Sequence, residues 1–207
     1  MRLCFITPGY ALHPPFGGIG THIRTMARWL AHHNHDIHVV CLSRDQESGT
    51  HDDKGVKVHF VPPRRIKPRR ILNYISRIPG LADVREAYYG WNRLEDSLGA
   101  WLFVHTLERQ ARFDVIQCGD YGGLAFWGVW PVKRCKRLLL RGQGLIGLYP
   151  SLVQRPGGRF HHLLERTCAE KADFILANSV YIAEVYSAKY GVDANRLGVL
   201  YLSLIHI

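Results

Sequence analysis

Short apolar runs and helix-spaced apolar positions take turns along the chain almost from end to end. Residues 3–6 are a short, wholly apolar run of the kind a buried strand shows. Ile19, Ile23, Met26, Ala27 and Leu30 then recur at three- and four-residue spacing, one apolar stripe on a helix. Asn34 stands where that helix would end, ahead of a strand at 37–42. A polar loop is predicted over 43–55. Beyond it, Val56, Val58 and Phe60 alternate with Lys57 and His59, the pattern of a strand with one less buried face near a sheet edge. Trp91, Leu94, Leu98, Leu102 and His105 trace a long helix reaching about residue 112. Further strands are predicted at 114–118, 137–140, 173–177 and 197–201, a short apolar helix or loop at 121–130, and helices at 158–171 and 180–190, the last closed by Gly191. Parallel strands need crossover helices, so the alternation predicts an α/β fold: a Rossmann-like, mostly parallel sheet with helices on both faces.

Composition narrows the class. The 207 residues are 47% hydrophobic and 21% charged, an ordinary globular balance that excludes a disordered or fibrous protein. The length suits one large domain and is short for a two-domain enzyme. No apolar stretch is long enough to span a membrane, and the opening run is too short, and too soon broken by Pro8-Gly9, for a secretory leader. Cys4, Cys41, Cys118, Cys135 and Cys168 are scattered and odd in number, with no C-x-x-C, so reduced thiols and a cytoplasmic location are expected. His32, His33, His35 and His38 straddle a helix end and the next strand, where side chains diverge. With His161-His162 alone further on and no H-E-x-x-H, no metal site is expected.

The net charge of +10 is concentrated in two runs. Arg64, Arg65, Lys67, Arg69, Arg70 and Arg77 lie together without an acid, and abut Ile71, Leu72, Ile75 and Ile78, which would share one helical face. Lys133, Arg134, Lys136, Arg137 and Arg141 form the second run. A basic, apolar stretch of the first kind can sit at an anionic membrane surface, each cation contributing about 1 kcal/mol. A peripheral position at the inner face of the membrane is therefore an expectation, weighed equally against a solvated loop packing its apolar side on the core. No zinc finger or RNP-like aromatic motif appears, so nucleic acid is not an expected partner.

The chemistry concentrates after the first strand. Thr7-Pro8-Gly9-Tyr10-Ala11-Leu12-His13-Pro14-Pro15-Phe16 leads to Gly17-Gly18-Ile19-Gly20-Thr21-His22, which opens the first helix. Ligands of open parallel sheets collect beyond the carboxyl ends of strands. Glycines there admit a ligand close to the backbone, and a helix N-terminus presents unpaired N–H groups to phosphate. A P-loop is excluded by the absence of Gly-Lys-Ser/Thr. The dinucleotide fingerprint fits Gly18-x-Gly20 but meets Ile23 where its third glycine belongs, after a loop far longer than the usual tight turn. An NAD(P)-dependent oxidoreductase or epimerase is thus a second choice, and a basic, non-enzymatic module for membrane or nucleic acid a third.

These residues resemble a known family. Ile6-Thr7-Pro8, the proline loop, Gly17 to His22, Ala27-x-x-Leu30 and His35-Asp36-Ile37-His38-Val39-Val40 resemble the opening of GT-B glycosyltransferases, most closely the glycosyltransferase family 4-like N-terminal domain. Phe113-Asp114-Val115-Ile116-Gln117-Cys118 and the segment from Glu165 to Ala172-Asp173-Phe174-Ile175-Leu176-Ala177-Asn178-Ser179 continue the resemblance in order. It implies the N-terminal, acceptor-side half of a GT-B fold and retaining transfer of a sugar from a nucleotide-sugar donor to a glycan or lipid-linked acceptor. No further cofactor is implied. The carry-over puts donor phosphate on Gly17 and Gly18, with Gly20 beside them. Backbone donors fixed there can stabilise charge gathering on a departing diphosphate.

Two departures qualify the resemblance. Many members read R-L-H-G after the fifth strand, whereas this chain reads Arg141-Gly142-Gln143-Gly144. Gln143 stands where the histidine would, and glutamine donates a hydrogen bond without shuttling a proton. Its replacement by alanine is expected to lower turnover in the full-length enzyme. The family's donor domain would follow residue 201, where this chain reads Leu202-Ser203-Leu204-Ile205-His206-Ile207. The domain is therefore expected over 1–201, with 202–207 a non-native tail and the fragment inactive alone. Gln143 and Asp120 are the catalytic candidates; His13, Thr21, His22 and Arg141 are the substrate-binding candidates.

Overall fold

In the computed structural model of the chain, residues 1–10, 12, 17–43, 48–66, 82–131, 137–142, 144–145 and 159–201 are described. The elements run β1 (Arg2–Thr7), α1 (Gly18–His32), β2 (Asp36–Leu42), β3 (Gly49–Asp53), β4 (Val56–Val61) and α2 (Ala82–Gln110). They continue with β5 (Val115–Gly119), a 3-10 turn (Tyr121–Gly123), α3 (Phe126–Val129), β6 (Leu138–Gly142) and α4 (Arg159–Lys171). β7 (Phe174–Ala177), α5 (Val180–Tyr190), a second 3-10 turn (Ala194–Arg196) and β8 (Leu197–Val199) complete the order.

The eight strands form one sheet in the order β3-β4-β2-β1-β5-β6-β7-β8. All pairs are parallel except the antiparallel β3–β4 hairpin. From β1 the chain builds outward to β2 and β4, then returns to lay β5 on the other side of β1. The strand order reverses between β1 and β5, so a crevice opens beyond their carboxyl ends. The expected Rossmann-like α/β fold is the fold observed.

Two apolar layers sandwich the sheet. Every second residue of β1, β2 and β4 (Phe5; Ile37, Val39, Cys41; Val56, Val58, Phe60) meets Ile23 and Ala27 of α1. The opposite faces, with Cys4, Ile6 and Val40, join Ile116, Cys118, Leu138, Leu140 and Ile175 under residues of α2, α3, α4 and α5. Full burial of one such Val, Leu or Ile is worth about 1.5–3 kcal/mol. α1 is anchored by its apolar stripe and ends as the sequence predicts, with Asn34 in the left-handed region at φ 61°. Gly191 ends α5 in the same way at φ 64°, and Ser179 caps the start of α5 by accepting from Ile182 N.

The hairpin departs from expectation. Residues 49–53, expected as loop, are the edge strand β3, which covers β4. β4 is also more buried than its alternation suggests. Lys57 is exposed, but His59 is buried between Phe103, the His38 ring and Thr50, whose Oγ1 lies 2.8 Å from His59 Nδ1. The four described cysteines are buried and form no disulfide with one another. Burial pushes the Cys4 and Cys168 thiols far up and Cys41 to about 12, so they are unreactive packing groups. Among the described residues no cluster could hold a metal, and no helix is long and apolar enough to cross a membrane.

Candidate functional site

The carboxyl ends of the central strands meet the start of α1. Thr7 ends β1, and its hydroxyl donates to Gly9 O at 2.9 Å, fixing the chain's exit from the sheet. Gly17 is the N-cap of α1 in extended conformation and offers no side-chain cap. Thr21 instead donates through its backbone N and its Oγ1 to Gly17 O, at 3.2 and 3.3 Å. The first N–H groups of the helix therefore have no side-chain acceptor from the cap position. A Cβ built on Gly17 or Gly18 would meet nothing within 4 Å, and neither residue has positive φ. Folding requires glycine at neither position. Gly20, by contrast, is a buried residue of α1 itself.

A polar hub fastens this loop to the sheet. Asp53, at the end of β3, accepts from Tyr10 Oη at 2.7 Å, from Arg24 Nε at 3.2 Å and from Arg28 Nε at 2.9 Å. Burial alone would raise the Asp53 pKa, but the hydrogen bonds from Arg28, Tyr10 and Arg24 outweigh it and hold the carboxyl at about 2. One carboxylate thus joins the loop after β1, the solvent flank of α1 and the β3–β4 hairpin. No local pattern announces this role, because GTHDD reads as polar loop.

The remaining candidates divide between the two faces of the sheet. Arg141, at the end of β6, is 2% exposed and donates from Nη2 to Leu200 O at 2.8 Å. It lies on the face that carries α1, where burial first and then the Arg141 charge lower the pKa of His22. Asp120, following β5, turns to the other layer. Its carboxylate accepts from Tyr186 Oη at 2.8 Å and from Gly144 N at 3.3 Å. Nearby, Glu165 accepts from Gly122 N at 3.0 Å. Two buried carboxylates therefore fix the loops after β5 and β6, and burial with the Asp120 charge drives the Tyr186 pKa well up. Asp120 is placed to hold the loop carrying Gly144, immediately after Gln143. Gln143 itself, His13, Lys133, Arg134, Lys136, the run from Lys67 through Ile78, and the 202–207 tail all lie outside the described residues. Of the first basic run, Arg65 is described and pairs with the buried Glu95 of α2 at 3.2 Å.

Residues 17–202 match the glycosyl transferase 4-like domain family. The chain belongs to that family. No curated protein matches it significantly in sequence. In structure it is similar to the sucrose-phosphate synthase of Thermosynechococcus elongatus, with TM-score 0.58 and 9% identity over 99% of this chain and 91% of that one. It is also similar to the catalytic domain of Arabidopsis thaliana starch synthase IV bound to ADP and acarbose, with TM-score 0.58 and 10% identity over 97% of this chain and 51% of that one. A third relative is a UGT transferase of Siraitia grosvenorii in complex with UDP, with TM-score 0.50 and 11% identity over 97% and 50% of the two chains. The chain spans about half the length of the latter two. This glycosyl transferase 4-like domain thus has the Rossmann-like fold found in those glycosyltransferase structures, and its family speaks for glycosyl transfer over the NAD(P)-dependent oxidoreductase.

Proposed function

We propose that this domain is the acceptor-side half of a retaining glycosyltransferase that moves a sugar from a nucleotide-sugar donor to a glycan or lipid-linked acceptor. A second, donor-binding domain closes over the carboxyl ends of β1, β5 and β6. The observation that carries the reading is the pair Gly17-Gly18: glycines at a helix N-terminus, in open space, with backbone angles any residue could adopt. Since the fold does not need them, a ligand that approaches the backbone does, and phosphate is the ligand a helix N-terminus suits. The nucleoside diphosphates in the starch synthase and UGT structures support the same ligand class here.

In this reading the N–H groups of α1 hold the diphosphate. Charge grows there as the glycosidic bond to the donor breaks, and fixed donors stabilise that charge without reorganising. The family resemblance supports the retaining course. Asp120 acts through position, holding the loop after β6 against Tyr186, and Gln143 supplies a hydrogen bond from that loop.

Calorimetric titration of the chain with UDP and ADP tests the reading. We expect one of them to bind, and Gly18→Val to weaken it at least tenfold while the thermal midpoint stays within about 2 °C, since a side chain there has room. Absence of binding by either nucleotide, or an unchanged constant in the variant, would overturn it.

A further inference from the structure

Two polar atoms at this end of the sheet are buried without a hydrogen-bond partner among the described residues: Arg141 Nε and His22 Nε2. Arg141 is a buried cation whose only hydrogen bond among those residues runs to a carbonyl, Leu200 O. Burial lowers its pKa, and no carboxylate acts to raise it. A guanidinium removed from water without a counter-charge is costly, so such sites ordinarily hold an anion.

The sequence shows why no internal anion is at hand. No Asp or Glu occurs from residue 1 to 35, or from 121 to 164. These stretches contain β1, the glycine loop, α1, β6 and everything that follows β6 up to α4. The carboxylate at the end of the neighbouring strand, Asp120, is committed to Tyr186 and Gly144 on the opposite layer.

We propose that Arg141 and His22 form an oxyanion subsite, distinct from the glycine N-terminus of α1, which holds a phosphate or carboxylate borne by the acceptor. Arg141 supplies the charge and its Nε–H, and His22 donates from Nε2 in the tautomer protonated there. The word acceptor rests on the function proposed above; the oxyanion subsite itself does not.

The test uses the 15N-labelled 207-residue chain, with the arginine Nε–Hε signals followed during titration with inorganic phosphate and, in a parallel arm, acetate. The Arg141 signal, assigned by its loss in Arg141→Met, is expected to move and saturate at millimolar concentration with at least one anion. Arg141→Met should abolish the rise in thermal midpoint that phosphate produces, without lowering the midpoint of the free chain. A merely structural arginine would lower that midpoint by several degrees. If Arg141→Met does not fold, His22→Ala serves, with phosphate binding weakened at least threefold. An Arg141 signal unmoved in both arms overturns the subsite. UDP separates the sources of the anion. Phosphate that still binds at saturating UDP supports an acceptor group, whereas phosphate displaced by UDP makes the subsite part of the donor's diphosphate and overturns the acceptor assignment. If phosphate binds and UDP does not, the subsite stands and the nucleotide-sugar reading falls.

Discussion

Residues of one type do opposite work in this domain. Gly17 and Gly18 face open space, but a Cβ on Gly99 would come 2.5 Å from Pro62 O, and one on Gly128 would enter the Trp101 ring at 2.2 Å. Gly99 lets α2 lie against the chain leaving β4, and backbone on both sides cannot yield. Gly99→Ala is therefore expected to destabilise the domain by about 1–3 kcal/mol in urea titration. Gly18→Ala is expected to stabilise it by about 0.4–1 kcal/mol, because alanine restricts the unfolded chain and suits a helix. Equal effects of the two would refute the distinction. Asp53 is the other residue on which much depends. Asp53→Ala takes the acceptor from three side chains at once, Tyr10, Arg24 and Arg28, and its expected cost is about 1–3 kcal/mol by the same measurement. The glycines were legible in the sequence because their cluster precedes an amphipathic stripe. Asp53 was not, since its burial comes from partners 25 to 43 residues away that no local pattern announces.

At the level of elements, the strands whose apolar faces alternate cleanly were legible, and so were α1 and α5, whose ends carry Asn34 and Gly191. β3 escaped because four of its five residues are exposed; hydrogen bonding to β4, not burial, makes it a strand. Beneath this hairpin, His38 Nδ1 and His59 Nε2 lie 3.0 Å apart, with Asp36, Arg2, Lys57 and Thr50 around them and Phe103 and Phe113 against the rings. Burial first, then the charges of His38 and Lys57, lower the His59 pKa from 6.5 to about 4. Burial also lowers that of His38, with Asp36 opposing. The unfolded chain takes up protons near pH 6.5 and the folded chain does so only near 4, so the stability contributed above 6.5 is lost as the pH falls through that window. The unfolding free energy from urea titration should decline accordingly, by on the order of 3 kcal/mol from His59. His59→Gln should flatten the decline, and a parallel decline in the variant would assign it elsewhere.

For the whole molecule, the topology was legible as a class, while the site was legible only in part. Position at the carboxyl ends of strands could be read from order along the chain. That Asp120 and Arg141 would face opposite layers could not, because it depends on where β5 and β6 end in register. The net charge of +10 attracts anionic ligands to the domain at long range. Nucleotide and phosphate binding should therefore weaken several-fold between 25 and 250 mM KCl, as exposed cations are screened. Binding indifferent to salt would mean that the cations lie away from the ligand.

The two margins of the sheet have unlike consequences in a crowded solution. β3 presents Gly49, Thr50, His51 and Asp52 outward, short and hydrophilic, a poor template for another chain. β8 pairs with β7 alone among the described residues, and its surroundings expose Val199, Leu200 and Tyr201. Among the described residues, β8 is thus the margin that suits the addition of another strand, and β3 is a stop on the other side. Trimming 48–53 would bare β4 and remove that stop.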